Sequence, residues 1–525
     1  MRISTAQYFE TSGANYSKAF SDTAKTQEQI SSGSRIQTAA DDPVGASKLL
    51  QLQQQSSLLT QYSGNMTSVT NSMSQSESVL SSINDSLQSA QELAVQAGNG
   101  GLSDDDKASI AGSLSNIEKT VYSLMNSKDS NGNYMFSGSQ TTTAPYVQNS
   151  DGSYSFHGDQ STLSLQVSDT LSLATNDSGF NVFDQAVNTS RTSSALTSPA
   201  VDDGRVQVSA GDMTSQAAYN NSFVSGQPYT LTFASSTQYS IKDSSGNDVT
   251  SETTGNGVFD PNNTDGTNVT LRGVQFAINV NFQSGDTALT DDAVIAGHTF
   301  TLGTKPDTIT ATRTPSNTST AQITTTSVTN ATTYASAFPS NGAVVKFSDA
   351  THYSLYSQPY TDGDKAIVSN VTMTGNTIAT AGISMTVSGT PAAGDTFSVT
   401  ANTHKTQNVL DTIHQLAAAL TVPDASDAAS KLTLKNAVSS AISNLASASK
   451  LIDTTRGSIG ARGNAIDLQT SENSSMALAN KSSQSAIADT DLSVATVTLT
   501  LQQTMLQASQ LAFSKISQLS LFNKI

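Results

Sequence analysis

The sequence predicts an α+β fold: long N- and C-terminal helices forming an antiparallel coiled-coil bundle, with a β-rich middle inserted between them. Three observations point there, namely where the prolines fall, a seven-residue apolar step at both ends, and a repeat inside the middle. Of the 11 prolines, none lies between Val44 and Ala144 or after Pro423, and nine lie from Pro145 to Pro391. Proline breaks helix interiors, so the two ends are free to be long helices and the middle is not.

At 525 residues the chain exceeds one ordinary hydrophobic core. Only 36% of it is hydrophobic, which favours an elongated build from small cores. The net charge of −17 speaks against nucleic acid, because phosphate binding needs clustered Lys and Arg. With no cysteine, disulfides, thiolate metal sites and cysteine nucleophiles are excluded. The opening "MRISTAQYFETSGANYSKAF" lacks the apolar core of a Sec signal peptide. No apolar run approaches the roughly 18 residues of a membrane span. The expectation is no membrane partner, and a chain that stays in the cytoplasm or leaves by a route reading no cleavable signal.

In chain order, the first segment carries a weak stripe, Tyr16 and Ile30, with Phe9 and Phe20 beside it. Asp42-Pro43 then reads as an N-cap followed by proline at the first helical position. From there Leu52, Leu59, Met66, Met73, Leu80, Leu87 and Ala94 recur at every seventh position. A second set sits three residues on, Gln55, Tyr62, Val69, Ser76, Ile83, Ala90 and Ala97. Sustained a/d heptads argue for a coiled coil rather than an ordinary surface helix. Gly98, Gly100 and Gly101 end it. Ser103 with Asp106 resembles a capping box and opens a shorter helix, with Ile110, Leu114, Ile117, Val121 and Leu124 on one face.

The middle reads as strands. "GNYMFSG" and "DGSYSFHGD" alternate apolar and polar residues around Gly and Asp, as hairpins do. Further on, Ser215–Ile241 aligns with Thr329–Leu355, and "GVQFAI…IAGHTFTL" with "GISMTV…PAAGDTFSV". Tyr219/Tyr334, Phe233/Phe347, Tyr239/Tyr353, Gly297/Gly394 and Phe300/Phe397 fall into register. Two similar β domains are therefore expected, at 200–308 and 309–403. After them Pro423-Asp424 opens a helix in which Val438, Leu445, Ile452, Ile459 and Ile466 keep the seven-residue step.

The last forty residues differ. Leu492, Leu499, Leu506 and Phe513 form one stripe and Val494, Leu501 and Ala508 another, with Val497 and Leu511 between. An offset of two residues is about 200° around a helix. A helix apolar on opposite sides needs to be surrounded, which one intramolecular partner cannot do. The chain thus divides into a terminal helical segment (1–40), an N-terminal coiled-coil half (41–145) and a β-hairpin region (146–199). The two β domains follow (200–308 and 309–403), then a C-terminal coiled-coil half (404–485) and a terminal helix (486–525).

No catalytic constellation emerges. The histidines His157, His298, His352, His404 and His414 are scattered. His298 occupies the repeat position where the second copy has Asp395, which suggests an exposed turn. Asp104, Asp105 and Asp106 read as complements of a helix dipole. "DSNGNY" has its Gly too early for a calcium loop and no closing Glu. No catalytic, cofactor-binding or metal-ligating residue is nominated, and no cofactor is expected.

Some motifs resemble a known family. "SSGSRI" (Ser31 to Ile36), "DDP" (Asp41 to Pro43) and "QELAVQAGNG" (Gln91 to Gly100) resemble the N-terminal helical segment of bacterial flagellins and their relatives. "IGARGNAID" and the closing "IADTDLSVATVTLTLQQTMLQASQLAFSKISQLSLFNKI" are similar to the family's C-terminal helix. Within that superfamily "NGNYMFSGSQTTTAPY" and "DDP" look like the hook–filament junction type (FlgL type) rather than filament flagellin. "GNAI" (Gly463 to Ile466) departs from many relatives.

The resemblance implies a structural adaptor of the bacterial flagellum, exported by the type III apparatus, with terminal helices in the inner layers of a tube and the middle projecting outward. It implies self-association in a ring and three partners: a hook-side junction protein (FlgK type), flagellin, and a cytosolic export chaperone on the C-terminal helix. Expected subunit contacts are Tyr16, Ile30, Leu492, Val494, Leu499, Leu501, Leu506 and Phe513. Expected seam residues within the chain are Leu59, Met66, Met73, Leu80, Leu87, Val438, Leu445, Ile452 and Ile459. Filament flagellin, a surface adhesin using the repeated β domains, and a secreted enzyme are the alternatives.

Overall fold

The computed structural model describes residues 5–99, 101–149, 152–263, 266–283, 285–286, 290–422 and 428–522. Six helices organise it: α1 (Thr5–Ser32), α2 (Pro43–Ala97), α3 (Asp104–Met125), α4 (Val409–Thr421), α5 (Ala428–Ala488) and α6 (Leu492–Phe522). The strands fall between α3 and α4, so the α+β class with helical ends and a β middle is borne out. Gly100 and the Pro423-Asp424 helix start lie outside the described residues.

The chain forms two compact units. One comprises Met1–Gln75, Leu163–Asn176 and Ser458–Ile525; the other comprises Ser76–Thr162 and Asp177–Gly457. In the first unit α2 and α5 run antiparallel. Asn480 Nδ2 donates to the Leu52 carbonyl at 3.0 Å, and Asn473 Nδ2 to the Leu59 carbonyl at 3.0 Å. As one residue number falls by seven the other rises by seven. In the second unit the direction is the same, with Arg456 paired to Glu77 at 2.8 Å and Asn84 Nδ2 to Asp453 at 3.3 Å.

A helix as rich in Ser and Thr as α2 must keep those hydroxyls from competing with its backbone. They bond back one turn instead: Ser57 to the Gln53 carbonyl, Thr60 to Ser56, Thr67 to Ser63 and Ser82 to Ser78. The apolar residues are left as a dry strip. In the first unit a hairpin of Ser164–Gln166 and Ser172–Ala174 lies against α2, tied by Tyr62 Oη donating to Asp169 at 2.8 Å and Asn65 Nδ2 to the Gln166 carbonyl at 2.7 Å.

In the second unit α3 begins with the expected capping box, Ser103 Oγ accepting from the Asp106 N–H at 3.2 Å and the Asp106 carboxylate accepting from the Ser103 N–H at 3.2 Å. It packs against α4, a helix that the sequence reading did not identify. Asn408 caps α4, its Oδ1 accepting from the Leu410 N–H at 2.8 Å. Val409, Ile413, Leu416 and Leu420 form its buried face.

"DGSYSFHGD" behaves as expected, since Tyr154–Phe156 pairs antiparallel with Tyr146–Gln148. "GNYMFSG" does not form a strand. Asp129 Oδ1 accepts from the Asn131 and Asn133 N–H groups at 2.8 and 2.9 Å, which curls the chain into a turn. Phe136 then drops into the core, 5.2 Å from Phe183.

The repeat is visible in the strand order. Thr192–Ser198, Thr299–Thr304, Tyr229–Phe233 and Tyr239–Lys242 lie side by side in that order. Thr308–Arg313, Thr396–Asn402, Ala343–Phe347 and His352–Ser357 do the same, with Val368–Thr372 added at the edge. Phe233 faces Tyr239 and Phe347 faces Tyr353 across equivalent hairpins. Each copy has a second sheet, of four strands in the first copy and three in the second, and its own hydrophobic cluster.

His298 and Asp395 depart from expectation. The sequence reading put them on an exposed turn, yet they are only 5% and 1% exposed. His298 lies 3.1 Å from Asp203 and 2.9 Å from the Ile295 carbonyl. Asp395 instead accepts from the N–H groups of Thr318 at 2.9 Å and Ala392 at 2.9 Å. The two copies fill one buried polar position with different networks.

Candidate assembly surfaces at the chain ends

The connection from α1 to α2 is built from the quoted motifs. Gly33 turns the chain with φ +72°, a conformation that costs glycine little. Asp41 Oδ2 accepts from the N–H groups of Gln37 at 3.1 Å and Thr38 at 2.8 Å, and its other oxygen lies 2.6 Å from Lys25 Nζ. The Lys25 ammonium, then those N–H groups, hold this carboxyl well below the usual carboxylate range. Asp42 caps α2, accepting from the Gly45 N–H at 2.9 Å, and pairs with Arg35 at 3.1 Å. These two bonds lower its pKa in that order. A Cβ at Gly45 would meet Asp42 Oδ2 at 2.5 Å and Ile36 Cδ1 at 2.8 Å, so a side chain there would push the capping carboxylate aside. "DDP" is therefore one carboxylate to close the turn, one to start the helix, and a proline that needs no N–H.

The connection from α5 to α6 is laced to this one. The Arg35 N–H donates to the Ala488 carbonyl at 2.6 Å, and the Thr490 N–H to the Gly33 carbonyl at 2.9 Å. Asp491 then caps α6 through the Ser493 and Val494 N–H groups at 2.9 and 3.1 Å. The two turns fix where α1 and α6 begin to run together, again antiparallel. Near the far end Tyr16 stacks on Phe513, ring centroids 6.1 Å apart and planes at 21°.

The predicted contact residues fall into two sets. Tyr16, Ile30, Leu499, Leu506 and Phe513 are half-buried on the faces where α1 and α6 meet. Val494 and Leu501 face outward, 62% and 60% exposed, while Leu492, at the start of the stripe of Leu499 and Leu506, is 56% exposed. Val497, Met505 and Leu511 extend that exposed apolar surface, and Phe20 adds to it on α1. Met505 was not singled out in the sequence, although it lies four residues after Leu501. The seam residues Leu59, Met66, Met73, Leu80, Leu87, Val438, Leu445, Ile452 and Ile459 are all buried.

Sequence reasoning missed Asn473 and Asn480, which are 7% and 5% exposed. They continue the seven-residue step of Ile452, Ile459 and Ile466, and simple extension of that step finds them. An amide at a seam position costs stability and favours one register, because only there does it meet a partner. Among the described residues no group of three or more acidic or histidine side chains is placed to hold a metal, and no helix is long and apolar enough to cross a membrane.

Residues 3–141 match the family described as the bacterial flagellin N-terminal helical region. The flagellar hook-associated protein 3 of Salmonella typhimurium is 41% identical over 148 residues, 28% of this chain and 47% of that protein. The flagellar hook-associated protein 3 of Escherichia coli is 34% identical over 199 residues, 38% of this chain and 60% of that one. The chain thus spans about half the length of these relatives. A solved structure of hook-associated protein-3 from Legionella pneumophila covers 83% of this chain and 98% of its own, at 21% identity and a TM-score of 0.48. The resemblance read from the terminal motifs is borne out: through residues 3–141 the chain is similar to the bacterial flagellins, and over 148 and 199 residues to these two hook-associated proteins.

Proposed function

We propose that this chain is a structural adaptor subunit of the bacterial flagellum, joining hook to filament at the junction outside the cell. The observation that carries the reading is the coupling of a flagellin-type N-terminal region to a terminal helix pair that is apolar on its outer side. Val494, Val497, Leu501, Met505 and Leu511 expose a strip that water does not favour and that further helices would cover. Copies of this chain meet there in a ring, with a hook-side junction protein (FlgK type) on one side and flagellin on the other. Before assembly the same strip on α6 is the surface for a cytosolic export chaperone, and type III export delivers the chain. Leu492, Val494 and Leu501 make the contacts between subunits; Tyr16, Ile30, Leu499, Leu506 and Phe513 shape the helix pair that presents them. The role is structural rather than catalytic.

Immuno-electron microscopy of intact flagella tests this. Label confined to a narrow band between hook and filament is the expected result. Label along the whole filament would instead support filament flagellin. The adhesin reading requires the isolated 200–403 fragment to keep ligand binding by itself.

A further inference from the structure

The second unit contains a cleft of about 1160 Å³ that the assembly reading leaves unused. Its walls come from the Tyr154–Phe156 strand, the loop entering α4, α4 itself and the face of α5 around Ser440. Amide side chains dominate the lining, among them Gln160, Asn188, Gln407, Asn436 and Asn444. Some are saturated by the protein. Asn444 Oδ1 accepts from the Thr189 N–H at 2.7 Å and its hydroxyl at 2.8 Å, while Nδ2 donates to Asn188 Oδ1 at 3.1 Å and Gln407 Oε1 at 3.3 Å.

Asn188 is not saturated. It is 4% exposed, and its Oδ1 accepts from the Ser190 N–H at 2.9 Å as well as from Asn444. Its Nδ2 donates to no group among the described residues, although Asn188 lines the cleft. That nitrogen is not one of the fully enclosed polar atoms without a partner, so it opens on the cleft, where a ligand acceptor would take the place of solvent. Phe156 and Phe180 line the same cleft, half-buried, with centroids 6.0 Å apart. The charged lining residues are three carboxylates, Asp159, Asp184 and Asp411, and one ammonium, Lys305, a balance that disfavours an anionic ligand.

We infer that this cleft binds a neutral saccharide. A sugar hydroxyl both donates and accepts, as do the amides that face it, whereas a carboxylate or phosphate only accepts. The apolar face of a pyranose has the shape to lie on one of these two rings, which are tilted 48° to each other. The volume exceeds that of a typical small-molecule pocket, roughly 300–1,000 Å³, and leaves room for a short oligosaccharide. The inference does not rest on the flagellar reading, since a saccharide site suits a surface protein of either kind.

Saturation-transfer NMR and titration calorimetry on the full chain test it, with chitotriose, maltotriose and cellotriose as neutral probes and trigalacturonate as the acidic one. At least one neutral trisaccharide should bind with a Kd of about 0.1–5 mM. Asn436→Leu and Gln160→Leu, neither of which has a protein partner to lose among the described residues, should each weaken it by about tenfold or more with melting unchanged. Asn188→Ala should abolish it, and the other two variants decide the matter where that substitution unfolds the protein. Three results overturn the inference: no neutral probe binding at about 10 mM, binding unaltered in both surface variants, or a preference for trigalacturonate.

Discussion

Leu80 on α2 and Leu501 on α6 both sit on a seven-residue apolar step, yet Leu80 is 0% exposed and Leu501 60%. The difference lies in the angle between stripes. On α2 the second stripe trails the first by three residues, about 300° or a short way back around the helix, so the two merge into one face. That face is buried within the chain at Leu59, Met66, Met73, Leu80 and Leu87. On α6 the offset of two residues puts the stripes on nearly opposite sides, and α1 covers only the side of Leu499, Leu506 and Phe513. Period alone thus says that a helix is apolar in places; the offset says how many neighbours it needs.

The largest effect should come from the closed face. Leu80→Ala leaves a cavity in a dry seam and should destabilise by about 2–5 kcal/mol in urea melts. If the loss is as small as for an exposed residue, the α2 seam is not the closed face described.

Asp184 offers a second test, away from either helix. Burial pushes its pKa up to about 6, against the hydrogen bonds from Tyr146 and Asn408 that lower it. A raised carboxyl binds its proton more tightly when folded, so its contribution is complete below the unfolded value of 3.8 and is lost as pH rises through about 6. Asp184→Asn should therefore stabilise at pH 7 by about 1–3 kcal/mol relative to wild type, and much less at pH 4. A difference independent of pH would place the titration elsewhere.

Within the α2/α5 pairing the amide-bearing stretch should be softer than the aliphatic one. Asn473→Ala removes one bond to the Leu59 carbonyl and should cost about 0.5–1.5 kcal/mol, clearly less than Leu80→Ala. An equal cost would mean that the amide is as important to the pairing as a buried leucine.

The smallest effect on the isolated chain belongs to the open face. Leu501→Asp should change monomer stability by less than about 0.5 kcal/mol, yet a strain carrying it should shed filament protein into the medium. Leu506→Asp, half-buried against α1, should lower the melting temperature as well. Normal filaments with Leu501→Asp would remove α6's outer strip from the assembly contact.

The helices were legible because their information is periodic. The Ser103 capping box and the Asp42-Pro43 start were readable from a few adjacent residues, and the repeat from its aromatic register. Less legible was whatever depends on distant partners. Nothing local marks His298 and Asp395 as buried, since Asp203 and the loop at Thr318 reach them from about 80–95 residues away. The turn at Asp129 was missed because an alternating apolar pattern outweighed an Asx turn. Asn473 and Asn480 were missed because a search for apolar residues passes over an amide on the same step.

The antiparallel pairing also sets a clock. Leu59 meets Asn473 across 414 residues. A ribosome adding roughly 5–20 residues per second delivers that partner about 20–80 s after Leu59 has emerged. The β hairpins, whose contacts are nearer in sequence, can form in that interval. The α2 strip cannot find its own helix until synthesis is nearly done. Contacts of such separation form slowly and late, so the chain passes a long time with the α2 strip still open.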